Sequence, residues 1–170
     1  GQVLTSGGAG AACAWEDAAG GGKIVQITTG TSTTQTTITA TSFTATDLDG
    51  AITPTSSSNK VLVTVSCGYL TYDNSGNCAR AQVTVYRDIG GAGYSESIFN
   101  GQINTGYCKT DNAGEEVSEF GQFHCTFLDS PSTTSAVTYK VYASVSSALN
   151  IQIGYENQLQ TITMMETDES

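Results

Sequence analysis

Read in steps of two, this chain alternates apolar and polar positions many times over. In the stretch KVLVTVSCGYL, Val61, Val63, Val65 and Cys67 fall on one side and Thr64 and Ser66 on the other. Ala81, Val83 and Val85 alternate with Arg80, Gln82 and Thr84, and Phe123, Cys125 and Phe127 with Gln122, His124 and Thr126. Tyr139, Val141, Ala143 and Val145 repeat the pattern against Lys140, Tyr142 and Ser144, and shorter versions occur at Ile24–Ile27, Ile151 with Ile153, and Ile162 with Met164. Successive side chains of a strand point to opposite faces, so this period predicts half-buried β-strands. No window carries apolar residues at helical spacing between capping residues for three turns, so no helix beyond one or two turns is predicted.

Turn-forming clusters punctuate the runs: DLDG at Asp47–Gly50, DNSGN at Asp73–Asn77, GGAG at Gly90–Gly93, DNAG at Asp111–Gly114 and DSPS at Asp129–Ser132. About eight to ten short strands joined in this way predict an all-β domain, a two-sheet, jelly-roll-like β-sandwich. Its core is expected to hold Val63, Val65, Val83, Val85, Phe123, Phe127, Val141 and Val145. The Thr-rich stretch 28–46, anchored by Ile38 and Phe43, reads as a strand pair because β-branched Thr favours extended backbone.

Composition narrows the picture. A chain of 170 residues fits one core. Residues 1–22 are rich in Gly and Ala around a lone Trp15, too poor in apolar surface to build a core, and read as an arm or linker ahead of a single domain over 23–170. The opening Gly-Gln-Val-Leu, without an initiator Met, suggests a piece of a longer protein with a shaft upstream. The chain counts 26 Thr, 18 Ser and 19 Gly against 2 Pro, the make-up of short strands and tight loops. Six Lys and Arg stand against 16 Asp and Glu, for a net charge of -10, and the basic residues are scattered singly. Nucleic acid and anionic membrane surfaces are therefore disfavoured partners. No apolar run approaches the roughly 20 residues of a spanning helix.

Chemistry-bearing motifs are sparse. Five cysteines, with no Cys-x-x-Cys pair and only one histidine, do not match a zinc site. Cys67 and Cys125 continue apolar alternations and read as small buried hydrophobes. If a tight turn sits at Ser75-Gly76, Cys67 and Cys78 are out of register for a bridge, which leaves Cys78 with Cys108 as the pair to test for a disulfide. His124 reads as a strand-face residue, and Glu115, Glu116 and Glu119 as an acidic loop without the spacing of a glycosidase pair. Asp47–Gly50 and Asp73–Asn77 lack the distal Glu of a calcium loop. No catalytic residue, metal or cofactor is expected.

Tyrosine carries the binding signal, because it joins an apolar face to a polar tip. Tyr139 and Tyr86 read as structural, whereas Tyr72, Tyr94, Tyr107 and Tyr155 lie beside turns rich in Asn and Asp. Sugar rings present apolar C–H faces and hydroxyl rims, the chemistry such loops complement. The candidate receptor-binding residues are Tyr72, Asp73, Asn74, Tyr94, Asp111 and Asn112.

A resemblance is carried by ordered phrases: GQVLTSGGAG followed by Trp15, then GGGKIVQ, SFTATDLDGAITPTSSSNKVLV, LDSPSTTSAVTYKVYAS and TITMME. Together they resemble the C-terminal tip domains of tail fibres and related virion fibre proteins of tailed bacteriophages, especially marine ones. The resemblance covers nearly the whole chain and departs from such domains in its cysteine content. It implies a homotrimer of β-sandwich domains at the end of a shaft, located on the virion and extracellular during host attachment. The implied partners are copies of the chain, other virion proteins and a host surface glycan or outer-membrane protein. No residue-level binding motif comes with it. The alternative in the same setting is a structural capsid-decorating or head-fibre protein; a host-side C1q-like or adhesin module is disfavoured by the GQVLTS opening.

Overall fold

The structure is a computed structural model that describes residues 2–17, 23–73, 79–98, 103–108, 117–146 and 149–168. Every regular element but one is a strand: β1 Gln2–Thr5, β2 Ala14–Asp17, β3 Lys23–Ser32, β4 Thr36–Ile38, β5 Thr44–Ile52, β6 Lys60–Asp73, β7 Ala79–Ile89, β8 Glu96–Ser97, β9 Ile103–Cys108, β10 Val117–Asp129, β11 Val137–Val145, β12 Leu149–Ile153 and β13 Gln160–Asp168. The exception is a single 3-10 turn over Tyr155–Asn157. The fold is all-β, as the period of two predicts, and no described helix is long and apolar enough to cross a membrane.

Two antiparallel sheets face each other. In sheet I the long strand β6 pairs with β10 along one edge and, along the other, with β13 at its first half and β12 at its second; β3 and β4 lie outside β13 and β12. Sheet II runs β5-β11-β7, with β8 and β9 sharing the outer edge of β7. The odd-numbered residues of β6 and the inward residues of β11 and β7 are buried, and one cluster from Ile38 to Met164 fills the space between the sheets. Val63, Val65, Val83, Val85, Phe123, Val141 and Val145 all lie in it; Phe127 is only partly buried against its margin.

Three sequence expectations resolve differently. Strand β7 does not fold back on β6, because its partners are β11, β8 and β9 in the other sheet, so Ser75-Gly76 joins no hairpin of paired strands. DLDG is no turn but the middle of β5: Leu48 and Gly50 point inward while the two aspartates alternate outward. The Thr-rich stretch supplies the end of β3, all of β4 and the start of β5, so it crosses from sheet I to sheet II instead of pairing with itself. At the head of the chain, the expected arm contains a hairpin of β1 and β2 that sets Leu4 opposite Trp15, both exposed.

Two buried polar hubs tie the layers together. Glu166, fully buried, accepts hydrogen bonds from Gln26 Nε2 at 2.6 Å, Asn59 Nδ2 at 2.6 Å, and the Thr55 amide and hydroxyl at 2.7 and 2.8 Å. Burial raises its pKa, but these donors outweigh the penalty and hold it below the usual 4.5. Asp129, at the end of β10, receives both a forked pair of bonds from Arg87 Nη1, at 2.7 and 3.0 Å, and the Tyr139 hydroxyl at 2.7 Å. Since Arg87 and Tyr139 belong to sheet II, this hub staples the two sheets. On the β3 side the sandwich is closed by Thr28 Oγ1 donating to the Ala51 carbonyl at 3.0 Å. The approach of β3 to β5 there is so close that a Cβ on Gly30 would run into the Asp49 carbonyl.

Candidate functional site: two unlike outer faces

Among the described residues, the two outer faces of the sandwich carry side-chain chemistry that the core does not use. On sheet II, Tyr86 from β7 and Tyr142 from β11 project outward from diagonally related positions, their ring centroids 4.5 Å apart. Phe43, from the loop that leads into β5, packs edge-on to Tyr86 at 6.1 Å, and Tyr94 reaches Tyr142 at 5.8 Å. Tyr94 returns to the sheet because Gly90, Gly91 and Gly93 adopt φ of 64°, 81° and 104°, left-handed values that a side chain disfavours. The Gly93 amide donates to Asp88 Oδ1 at 2.9 Å and fixes the turn.

These four rings form a continuous aromatic surface with partly exposed bodies. Beside it, Lys140 Nζ is 2.9 Å from Asp49 Oδ2. Burial works against the lysine charge, but the bond and charge of Asp49 outweigh it and hold the ammonium pKa above its ordinary value. Burial likewise raises the phenols of Tyr94 and Tyr142. All three groups therefore keep their ordinary neutral-pH forms: two phenols that donate and accept hydrogen bonds, and one cation.

The outer face of sheet I is different in kind. Register sets Ile27, Met165, Leu62 and Leu128 in one row across four strands, and Thr29, Thr163, Thr64 and Thr126 in the next. Thr29 and Thr163 hydroxyls lie 3.3 Å apart, and those of Thr64 and Thr126 3.2 Å apart. A third row holds Thr31, Thr161, Ser66 and His124. Beyond it a recess of about 260 Å³ is lined by Tyr69, Phe120, Gly121, Gln122, Tyr155 and Gln158. Phe120 meets Tyr155 edge-on at 5.3 Å.

The residues singled out from sequence divide between these surfaces. Tyr94 joins the aromatic surface of sheet II. Tyr72 projects from the opposite side of the molecule, on sheet I, across from Ser118 and Asn150. The full thickness of the sandwich separates the two tyrosines, so they do not line one patch. The backbone of Asp73 closes β6 opposite Val117 and Leu149; Asn74, Asp111 and Asn112 lie outside the described residues, as do Cys78, Glu115 and Glu116. Cys108 pairs through its backbone with Ala79. Cys67 and Cys125 are free and buried, and burial pushes each thiol up to about 12. Phe43, Tyr142, Lys140 and Asp49 were not singled out from sequence as binding residues. Tyr142 occupies the polar phase of the β11 alternation, and an aromatic in that phase is a signal that could have found it.

No protein-family model matches the chain, and no curated protein matches it. Among solved structures, an infectious bursal disease virus (IBDV) particle gives a TM-score of 0.37 at 13% identity, over 98% of this chain and 40% of that one. The Gx strain of the same virus gives 0.32 at 11% identity, over 98% and 41%. The chain thus spans about two fifths of the viral chains it matches, and a likeness this loose says nothing of family or function.

Proposed function

We propose that this domain is a virion fibre tip that holds a host surface glycan or outer-membrane protein without cleaving it, and that it acts as a homotrimer. The observation that carries the reading is the aromatic surface of Phe43, Tyr86, Tyr142 and Tyr94 beside the Lys140–Asp49 pair. Ring faces cover the C–H faces of a sugar, and the phenol tips, the ammonium and Asp88 reach its hydroxyl rim. Of the residues chosen from sequence, Tyr94 stays in the site and Tyr72 leaves it. The phage-fibre phrases support the setting, and three copies on one tip would add avidity to weak single sites.

The test is binding of the fluorescent full chain to susceptible and resistant host cells and to an array of bacterial surface glycans. Wild type is expected to separate the two cell types, and a Tyr94→Ala, Tyr142→Ala double variant to bind about tenfold or more weakly with its fold intact. A wild type that treats both cell types alike would transfer the protein to the structural reading, a capsid-decorating or head-fibre part. A double variant that binds like wild type would move the site off this face.

A further inference from the structure

We infer that the outer face of sheet I, from the Ile27–Leu128 row to the recess beside Phe120, is the surface through which copies of this chain associate. Three observations converge on it. The first is where apolar surface is left in water: Ile27, Leu128 and Phe120 are 57%, 50% and 65% exposed, and Leu159 in the loop leading into β13 is 65% exposed. Every other exposed large hydrophobic among the described residues lies in β3 or the β1–β2 hairpin, and none lies in sheet II. Ile27 and Leu128 lie at one end of this face and Phe120 at the other, with the hydroxyl rows between them; exposed apolar side chains concentrated on one face mark an interaction site.

The second is charge. The chain carries a net -10, so a copy is repelled by most of another copy's surface. Sheet II presents Asp49, Asp88 and Lys140 outward, whereas in the three rows of sheet I His124 is the single ionisable side chain. Depletion of charge is the compositional mark of an interface core. The third is the hydroxyl rows. A Thr hydroxyl both donates and accepts, so hydroxyl rows of neighbouring copies can bond to one another around a threefold axis, whereas rows of like charge would repel. A face without charge does not repel a second copy of a chain at net -10, and it offers a charged foreign partner no counter-charge. The recess between Phe120 and Tyr155 then receives an apolar side chain from the neighbour.

The inference takes only the number of copies, three, from the reading above. Sedimentation of the full chain at micromolar concentration tests it with a matched pair of substitutions, Thr126→Lys on sheet I and Thr138→Lys on sheet II, together with Leu128→Glu and Ile27→Glu on two different strands of sheet I. All four positions are at least partly exposed, and a far-UV spectrum reports the fold of each variant. Wild type and Thr138→Lys are expected to sediment as trimers, and the folded sheet I variants to associate about tenfold or more weakly. Trimers that survive every folded sheet I variant would keep the oligomer and overturn the face. A monomeric wild type would overturn both the face and the homotrimer, and would leave receptor binding to be judged by the cell and glycan assays.

Discussion

The two outer faces of this sandwich are built from the same kind of strand and hide the same kind of core, yet they present opposite chemistry. Inward, both sheets bury mostly apolar side chains at alternate positions, chiefly Val, Ile, Cys and Phe from sheet I and Val, Ala, Leu and Tyr from sheet II. Outward, sheet II offers linked aromatic rings with an ion pair, and sheet I offers aliphatic and hydroxyl rows with a single imidazole. Packing constrains the inward phase of each strand to one solution. The outward phase is free to differ, and there one face can serve a foreign ligand while the other serves a copy.

The comparison requires a core that holds the faces apart, so the largest expected effects come from breaking it. Phe123, 1% exposed, should cost about 3 to 5 kcal/mol on truncation to Ala, and chemical denaturation is expected to show both association and ligand binding lost together. Phe127→Ala should cost less, since that ring is only partly buried. Asp129→Ala removes the forked acceptor of Arg87 and the partner of the Tyr139 hydroxyl, and should also lower the denaturation midpoint, by less than Phe123→Ala.

Acid should act next, through sheet I. The folded pKa of Glu166 lies below its ordinary 4.5, so its contribution is present above that pH and is lost as pH falls through the folded value. The urea midpoint is expected to drop on acidification below about pH 4.5, and Glu166→Gln should remove part of that drop while lowering stability at neutral pH. A variant whose midpoint falls with pH as steeply as wild type would show that the carboxylate is held no better in the fold than out of it.

Thiol chemistry probes the space between the faces. With pKa values of about 12, Cys67 and Cys125 should resist alkylation at pH 8 until the chain unfolds, whereas exposed Cys13 should react at once. Peptide mapping by mass spectrometry distinguishes the sites. The smallest effect concerns salt. A net charge of -10 opposes approach to an acidic cell surface and to other copies, so both adsorption and association should strengthen a few-fold as ionic strength rises.

How much of this was legible in the sequence follows from the range of each signal. Alternation is local, and it gave the strand class, the inward phase and seven of the eight expected core positions. Pairing is not local. The fourfold Thr row assembles from Thr29, Thr64, Thr126 and Thr163, four segments that show nothing in common until register aligns them. DLDG carries the composition of a turn, but Leu48 buried in the core holds it in a strand, a case of packing overriding local propensity. Tyr94 was singled out because a glycine turn precedes it, and Tyr86 was read as structural from its strand position; that the two share an aromatic surface with Tyr142 shows only in the fold. Glu166 lies in TITMMET without any motif, and only the fold brings Gln26, Thr55 and Asn59 to it.

Hydroxyl-radical footprinting of the assembled full chain reads both faces at once. At concentrations where the chain is associated, Leu128, Phe120 and Met165 should be protected from oxidation relative to dilute protein, while Tyr86, Tyr94 and Tyr142 stay as reactive as before. Adding the glycan found on the array should then protect the tyrosines and leave the sheet I residues unchanged. Protection of the tyrosines on assembly, with Leu128 and Phe120 remaining open, would contradict the account.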